Sequence, residues 1–174
     1  MAVSLDSIKE LREMTAASIA DCRKALADST GDIKKAAELL RKRGLEIAAK
    51  KSDRAAKEGR IEAYVHMGNK IGVLLEVDSE TDFVSRSPDF CQFTKDIAMH
   101  IAACSPTYVK KEDVPAEIIE QEKDKELFYK EHCLLQQPFV KDPSITVNDY
   151  LSTLFAKFSE NLIVRRFVRY QIGA

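Results

Sequence analysis

The sequence predicts an α+β protein, with a small helical head, a connector, and a core of helices packed on an antiparallel sheet. Three observations predict it. Apolar residues recur at three- and four-residue spacing through the first 44 positions, the pattern of short amphipathic helices. Between residues 60 and 78 the period switches to two, as in a hairpin with one buried face. After Ser87-Pro88 the helical period returns. The implied boundaries are a head over 1–45, a connector over 46–58 and a core over 59–174.

In the head, Ser4 can cap a helix carrying Leu5, Ile8 and Leu11 at three- and four-residue spacing. Ser18 and Asp21 form a capping box ahead of Cys22, Ala25 and Leu26. A third helix follows Gly31-Asp32, buries Ile33, Ala36, Ala37 and Leu40, and is expected to stop at Gly44. So small a core suits binding better than catalysis. Residues 45–58 are rich in Ala, Lys and Glu and read as a partly helical connector.

In the core, Ile61, Ala63, Val65 and Met67 alternate with polar or amphipathic neighbours along a first strand. Gly68-Asn69 supplies the turn, and Ile71, Val73, Leu75 and Val77 line one face of its partner. Ser87 and Pro88 open a helix with Phe90, Phe93, Ile97 and Ile101 as its apolar stripe. One further helix is expected from near Pro115 to about Cys133, with a solvated, charged stretch from Glu120 to Glu131, and then a loop holding Pro138 and Pro143. Thr146 and Asp149 make another capping box, opening a helix with Val147, Tyr150, Leu151, Leu154 and Phe158 inward. Leu162 to Ile172 read as a final strand whose arginines suit an edge.

Composition narrows the function. With 27 basic and 28 acidic residues there is no basic excess, so direct nucleic-acid binding is not expected. No apolar run approaches the roughly 20 residues of a membrane span, and no secretory pattern opens the chain, so a cytoplasmic protein is expected. The four cysteines form no CxxC or Cys/His cluster. They read as buried free thiols, with no metal site. No phosphate loop, GxGxxG, GxSxG or HExxH occurs, and His66, His100 and His132 lack ligand spacing and read as surface or half-buried residues. Nothing assembles a nucleophile with a base, so no bond chemistry and no cofactor is expected.

One segment stands out: Thr81-Asp82-Phe83-Val84, in the short connection between the second strand and the proline-started helix. A bulky aromatic beside an acid is unusual there. Position alone favours Phe83 as a plug over the sheet end. The alternative is an exposed anchor that enters a partner's groove, with Asp82 supplying a directed charge.

The same residues carry a family resemblance. TDFV after LLEVDSE, the head stretch LREMTAASIADCRKAL, QPFVKDPSITV and the closing ENLIVRRFVRYQIG resemble, in that order, segments of the elongation factor Ts family. The resemblance implies a ubiquitin-associated-like three-helix head and one core subdomain, as in the short class whose members dimerise. It implies exchange of GDP for GTP on elongation factor Tu. Asp82 and Phe83 would push between helices of the partner's GTPase domain, Thr81 and Val84 would fix the turn, and the partner's Mg²⁺ site would be disturbed. The head would hold the same GTPase domain elsewhere through Leu11, Arg12, Ser18, Ile19 and Ala20. Where the family commonly has Gly-Ala-Gly-Met-Met, this chain has Ala16 to Ala20, so the turn should be stiffer and its apolar contact smaller. A different class of function fits the head alone: a module capturing ubiquitin-like or nascent-chain segments, with the core as a dimerisation device.

Overall fold

The computed structural model describes residues 3–15, 17–51 and 53–173. It is α+β, and it divides into two compact units: Met1–Ala55 with Leu151–Leu162, and Ala56–Tyr150 with Ile163–Ala174.

The first unit opens with α1 (Leu5–Thr15), α2 (Ile19–Asp28) and α3 (Ile33–Lys51). Ser4 Oγ accepts from Ser7 N–H at 3.0 Å and starts α1. Ser18 Oγ accepts from Asp21 N–H at 3.1 Å and donates to the Asp21 carboxylate at 2.6 Å, so α2 is capped by one direct bond and one side-chain pair. Ile8, Leu11, Cys22, Ala25, Leu26, Ala36 and Leu40 close into one core. Leu5, the first residue of α1, is exposed.

The helix expected to stop at Gly44 runs on to Lys51. Gly44 is not a left-handed terminator. It is buried in mid-helix, where an added Cβ would lie 2.3 Å from the carbonyl oxygen of Ser152. The glycine is there for close approach, not for termination.

The second unit is built on β1 (Glu58–Val65), β2 (Ile71–Ser79) and a short helical turn, α4 (Asp82–Ser85). It continues through α5 (Pro88–Cys104), α6 (Ala116–Gln121), α7 (Lys125–His132), β3 (Pro138–Phe139) and β4 (Asp142–Thr146). The helix α8 (Val147–Phe158) and strand β5 (Ile163–Gln171) complete the chain. β1, β2 and β5 form an antiparallel sheet in that order. Val73, Leu75 and Val77 of β2 face inward against α5, whose Phe90, Phe93, Ile97 and Ile101 are fully buried. Ser87 caps α5 and Pro88 occupies its first turn, as the dipeptide predicts. Thr146 and Asp149 exchange both bonds of a capping box, at 3.0 and 3.1 Å.

Three points differ from the sequence reading or go beyond it. First, β1 buries its polar face: Ile61, Ala63 and Val65 are exposed, and Glu62 faces the core. Alternation fixes the period of a strand but not which face is buried, and Arg60, Glu62 and Tyr64 find polar partners that repay their inward placement. Second, the single helix expected over 115–133 is two, because Asp124 caps a fresh start by accepting from Leu127 N–H at 3.0 Å. Neither α6 nor α7 buries a residue fully, in line with the solvated face expected for this stretch. Third, residues 138–146 form the small β3–β4 hairpin instead of a loop.

His100, expected at or near the surface, is fully buried on α5. Val140 N–H donates to its Nδ1 at 3.1 Å, so the proton sits on Nε2, which donates to Gln137 Oε1 at 2.9 Å. Burial holds this histidine below its usual pKa, and it is neutral. Among the cysteines, Cys22 and Cys133 are buried as expected, Cys91 is half-buried and Cys104 is exposed; all four are free.

Candidate functional site

The Thr81–Val84 segment follows directly from the end of β2. At the neighbouring end of β1, Gly59 pairs with Asp78, and a Cβ on it would fall 2.4 Å from the Val77 carbonyl oxygen. Only glycine lets the strands close so tightly there. The chain then turns through α4, one turn of helix that cannot persist alone. Thr81 caps it, its Oγ1 accepting from Val84 N–H at 3.4 Å, and Ser85 Oγ donates to the Asp82 carbonyl at 2.9 Å. Val84 is buried, 2% exposed, and pins the turn from below.

Phe83 points the other way. It is 81% exposed, so the plug reading is wrong. Val84, not Phe83, seals the sheet end. A largely exposed phenylalanine on a turn held at three points is the kind of apolar surface that marks a candidate interaction site. Asp82 lies beside it, 3.1 Å from the Arg86 guanidinium across an exposed ion pair. Such pairs are worth about 0–1 kcal/mol, enough to orient the carboxylate but not to hold it from a competing partner. Sequence reasoning missed Arg86, although its spacing of four from Asp82 is the signal for a helical ion pair.

In the head, Arg12, Ser18, Ile19 and Ala20 are exposed, while Leu11 is fully buried in the three-helix core and can act only from beneath. Ile19 is 58% and Met14 59% exposed, an apolar pair flanking the α1–α2 turn of which only Ile19 had been singled out. Ala16, the first departure from the head motif, lies outside the described residues.

A third surface was not foreseen. The register places Ile61, Ala63 and Val65 of β1 across from Glu76, Leu74 and Gly72 of β2, and these across from Arg166, Val168 and Tyr170 of β5. Ile61, Val65, Leu74, Val168 and Tyr170 are exposed on this outer face, framed by an ion pair between Arg166 and Glu76 (2.5 Å). The alternation that revealed β1 carried this signal, but alternation alone does not say which face is covered.

Among the described residues no group of His, Cys, Asp or Glu could hold a metal ion. No described helix is long and apolar enough to cross a membrane. What the Thr81–Val84 turn presents is an exposed aromatic side chain on a hydrogen-bonded base with a carboxylate at its side.

The family model for "Elongation factor TS" matches residues 3–127 and 125–174. Proteins named elongation factor Ts align along nearly the whole chain. The one from Desulfotalea psychrophila is 46% identical over 197 positions, covering all of both chains. That from Thermodesulfovibrio yellowstonii is 47% identical over 195 positions, with 99% of this chain and 98% of the relative covered. That from Carboxydothermus hydrogenoformans is 46% identical over 194, covering 98% of this chain and 89% of the relative. These alignments are longer than the 174 residues of this chain, so the relatives carry positions that it lacks.

Proposed function

The chain belongs to the elongation factor Ts family, and on that premise we propose that it is a guanine nucleotide exchange factor for elongation factor Tu, acting in the cytoplasm in translation elongation. The observation that carries the reading to particular residues is the exposed Phe83 on its anchored turn. In this reading Phe83 is the wedge that enters between helices of the partner's GTPase domain, and Asp82 is the charge that competes for groups near the partner's Mg²⁺. Thr81 and Val84 hold the turn. Mg²⁺ bridges the phosphate oxygens of bound nucleotide and offsets their charge, so disturbing its ligands weakens GDP binding. Arg12, Ser18, Ile19 and Ala20 of the head (1–45) grip the same domain at a second place, with Leu11 supporting them. The connector (46–58) joins the head to the core (59–174). No bond is made or broken by this chain, and it needs no cofactor of its own.

The energetics are linkage. Whatever factor the exchange protein takes from GDP affinity, GDP takes from its affinity for the partner; a thousandfold effect is about 4 kcal/mol. Equilibration is accelerated without a set direction.

The apolar outer face of the sheet supports the further reading that two copies pair. The sequence placed this pairing on the edge of the last strand, but the exposed apolar area lies across all three strands, so a face-to-face dimer is the better fit.

The test is release of labelled GDP from elongation factor Tu. Substoichiometric amounts of this chain should accelerate release, and added GDP should weaken binding of the chain to the partner by the reciprocal factor. No acceleration at any concentration overturns the reading.

A further inference from the structure

β1 turns a buried carboxylate toward α5 where an apolar side chain would fit the layer. The Glu62 side chain is 11% exposed, and its Oε2 accepts from Arg60 Nε at 2.8 Å and from Thr94 Oγ1 at 3.1 Å. Thr94 is itself fully buried. Its partner Arg60 is 38% exposed, and an ion pair so open to solvent contributes little, so stability alone gives no reason for the inward carboxylate.

The contacts continue. Arg60 Nη1 donates to Cys91 Sγ at 3.5 Å, and the Cys91 thiol donates to the carbonyl oxygen of Ser85 at 3.7 Å. Ser85 is the last residue of α4, and its hydroxyl donates to the Asp82 carbonyl. A polar chain therefore runs from the sheet and α5 to the backbone of the turn that carries Asp82 and Phe83.

Insertion of an aromatic ring into a groove loads the backbone behind it, and a single helical turn resists load only through its supports. Thr81 holds the front of α4 and Val84 its underside; the Ser85 carbonyl is held from behind. We infer that Arg60, Glu62 and Cys91 are positioning residues for exchange, fixing the Asp82–Phe83 turn while it is pressed into the partner. This rests on the exchange-factor reading above. In this reading the three act from behind the turn and not on the partner, so the effect falls on the limiting rate of GDP release and not on the concentration at which the complex forms.

The test uses the full chain, stimulated GDP release over a range of factor concentrations, and thermal unfolding. Arg60→Met with Glu62→Leu replaces the ion pair by apolar groups of similar size. Cys91→Val removes the link at nearly constant volume, and Cys91→Ser retains its donor and acceptor. Both the double variant and Cys91→Val should lower the limiting rate about tenfold, with the half-saturating concentration changed by less than about twofold and melting unchanged, while Cys91→Ser keeps the wild-type rate. Wild-type limiting rates in both Arg60→Met/Glu62→Leu and Cys91→Val overturn the positioning role. So does an equal loss in Cys91→Ser and Cys91→Val, which would make the effect one of packing. A wild-type chain that fails to stimulate release overturns the exchange reading itself, and is distinguishable from either.

Discussion

Gly44→Ala should destabilise the first unit, against the usual effect of replacing a mid-helix glycine. Alanine is the better helix former by about 1 kcal/mol, and α3 runs through this position without a break. The new Cβ, however, would lie 2.3 Å from the Ser152 carbonyl oxygen and 3.1 Å from its carbonyl carbon, where ordinary contact begins at 3.4 Å. The obstacle is backbone, with no flexible side chain to swing away, so the two segments must part by about 1 Å in a close-packed region. Overpacking costs about 1–3 kcal/mol, and with backbone as the obstacle the cost falls in the upper part of that range, about 2–3 kcal/mol, which exceeds the propensity gain. A net loss of about 1–2 kcal/mol in a chain of this size lowers the unfolding midpoint by roughly 2–8 °C. Far-ultraviolet circular dichroism on heating would measure it. A midpoint raised by Gly44→Ala would refute the close-approach argument and return Gly44 to an ordinary helix position.

Two other predictions follow from buried and exposed groups. His100 is neutral in the fold and its pKa lies below the unfolded value of about 6.5, so its contribution is present above that pH and is lost as the pH falls toward the folded value. The midpoint should therefore drop below about pH 6.5, and His100→Gln should flatten that part of the profile; an unchanged profile in the variant would contradict the assignment. Leu74→Lys places a charge in the middle of the outer sheet face and should abolish pairing of copies. Light scattering at micromolar concentration should show a dimer for the wild-type chain; a 19.6 kDa species alone would count against it.

Caps and apolar periods made much of the fold legible. Ser18, Ser87 and the Thr146/Asp149 pair each start a helix where the sequence puts one, because local side-chain bonds to free N–H groups need no tertiary information. What failed depends on contacts from elsewhere in the chain. Gly44 carries the local mark of a helix end, but the reason for it is Ser152. The alternation in β1 fits either face, and the decision for Glu62 inward comes from Thr94, 32 residues later. At the site, Asp82 and Phe83 were visible as an odd pairing, while the direction of Phe83 was not. Val84 competes with it for the sheet end, and the smaller side chain is the one that fits inside.

The most direct measurement of the central claim is stopped-flow release of labelled GDP from elongation factor Tu by the wild-type chain and by Phe83→Ala. Burying a phenylalanine is worth about 2–3 kcal/mol, and Phe83 is solvated in the free chain, so the variant should lose roughly 30- to 150-fold in stimulated release with an unchanged unfolding midpoint. Release by Phe83→Ala equal to that of the wild-type chain would contradict the account.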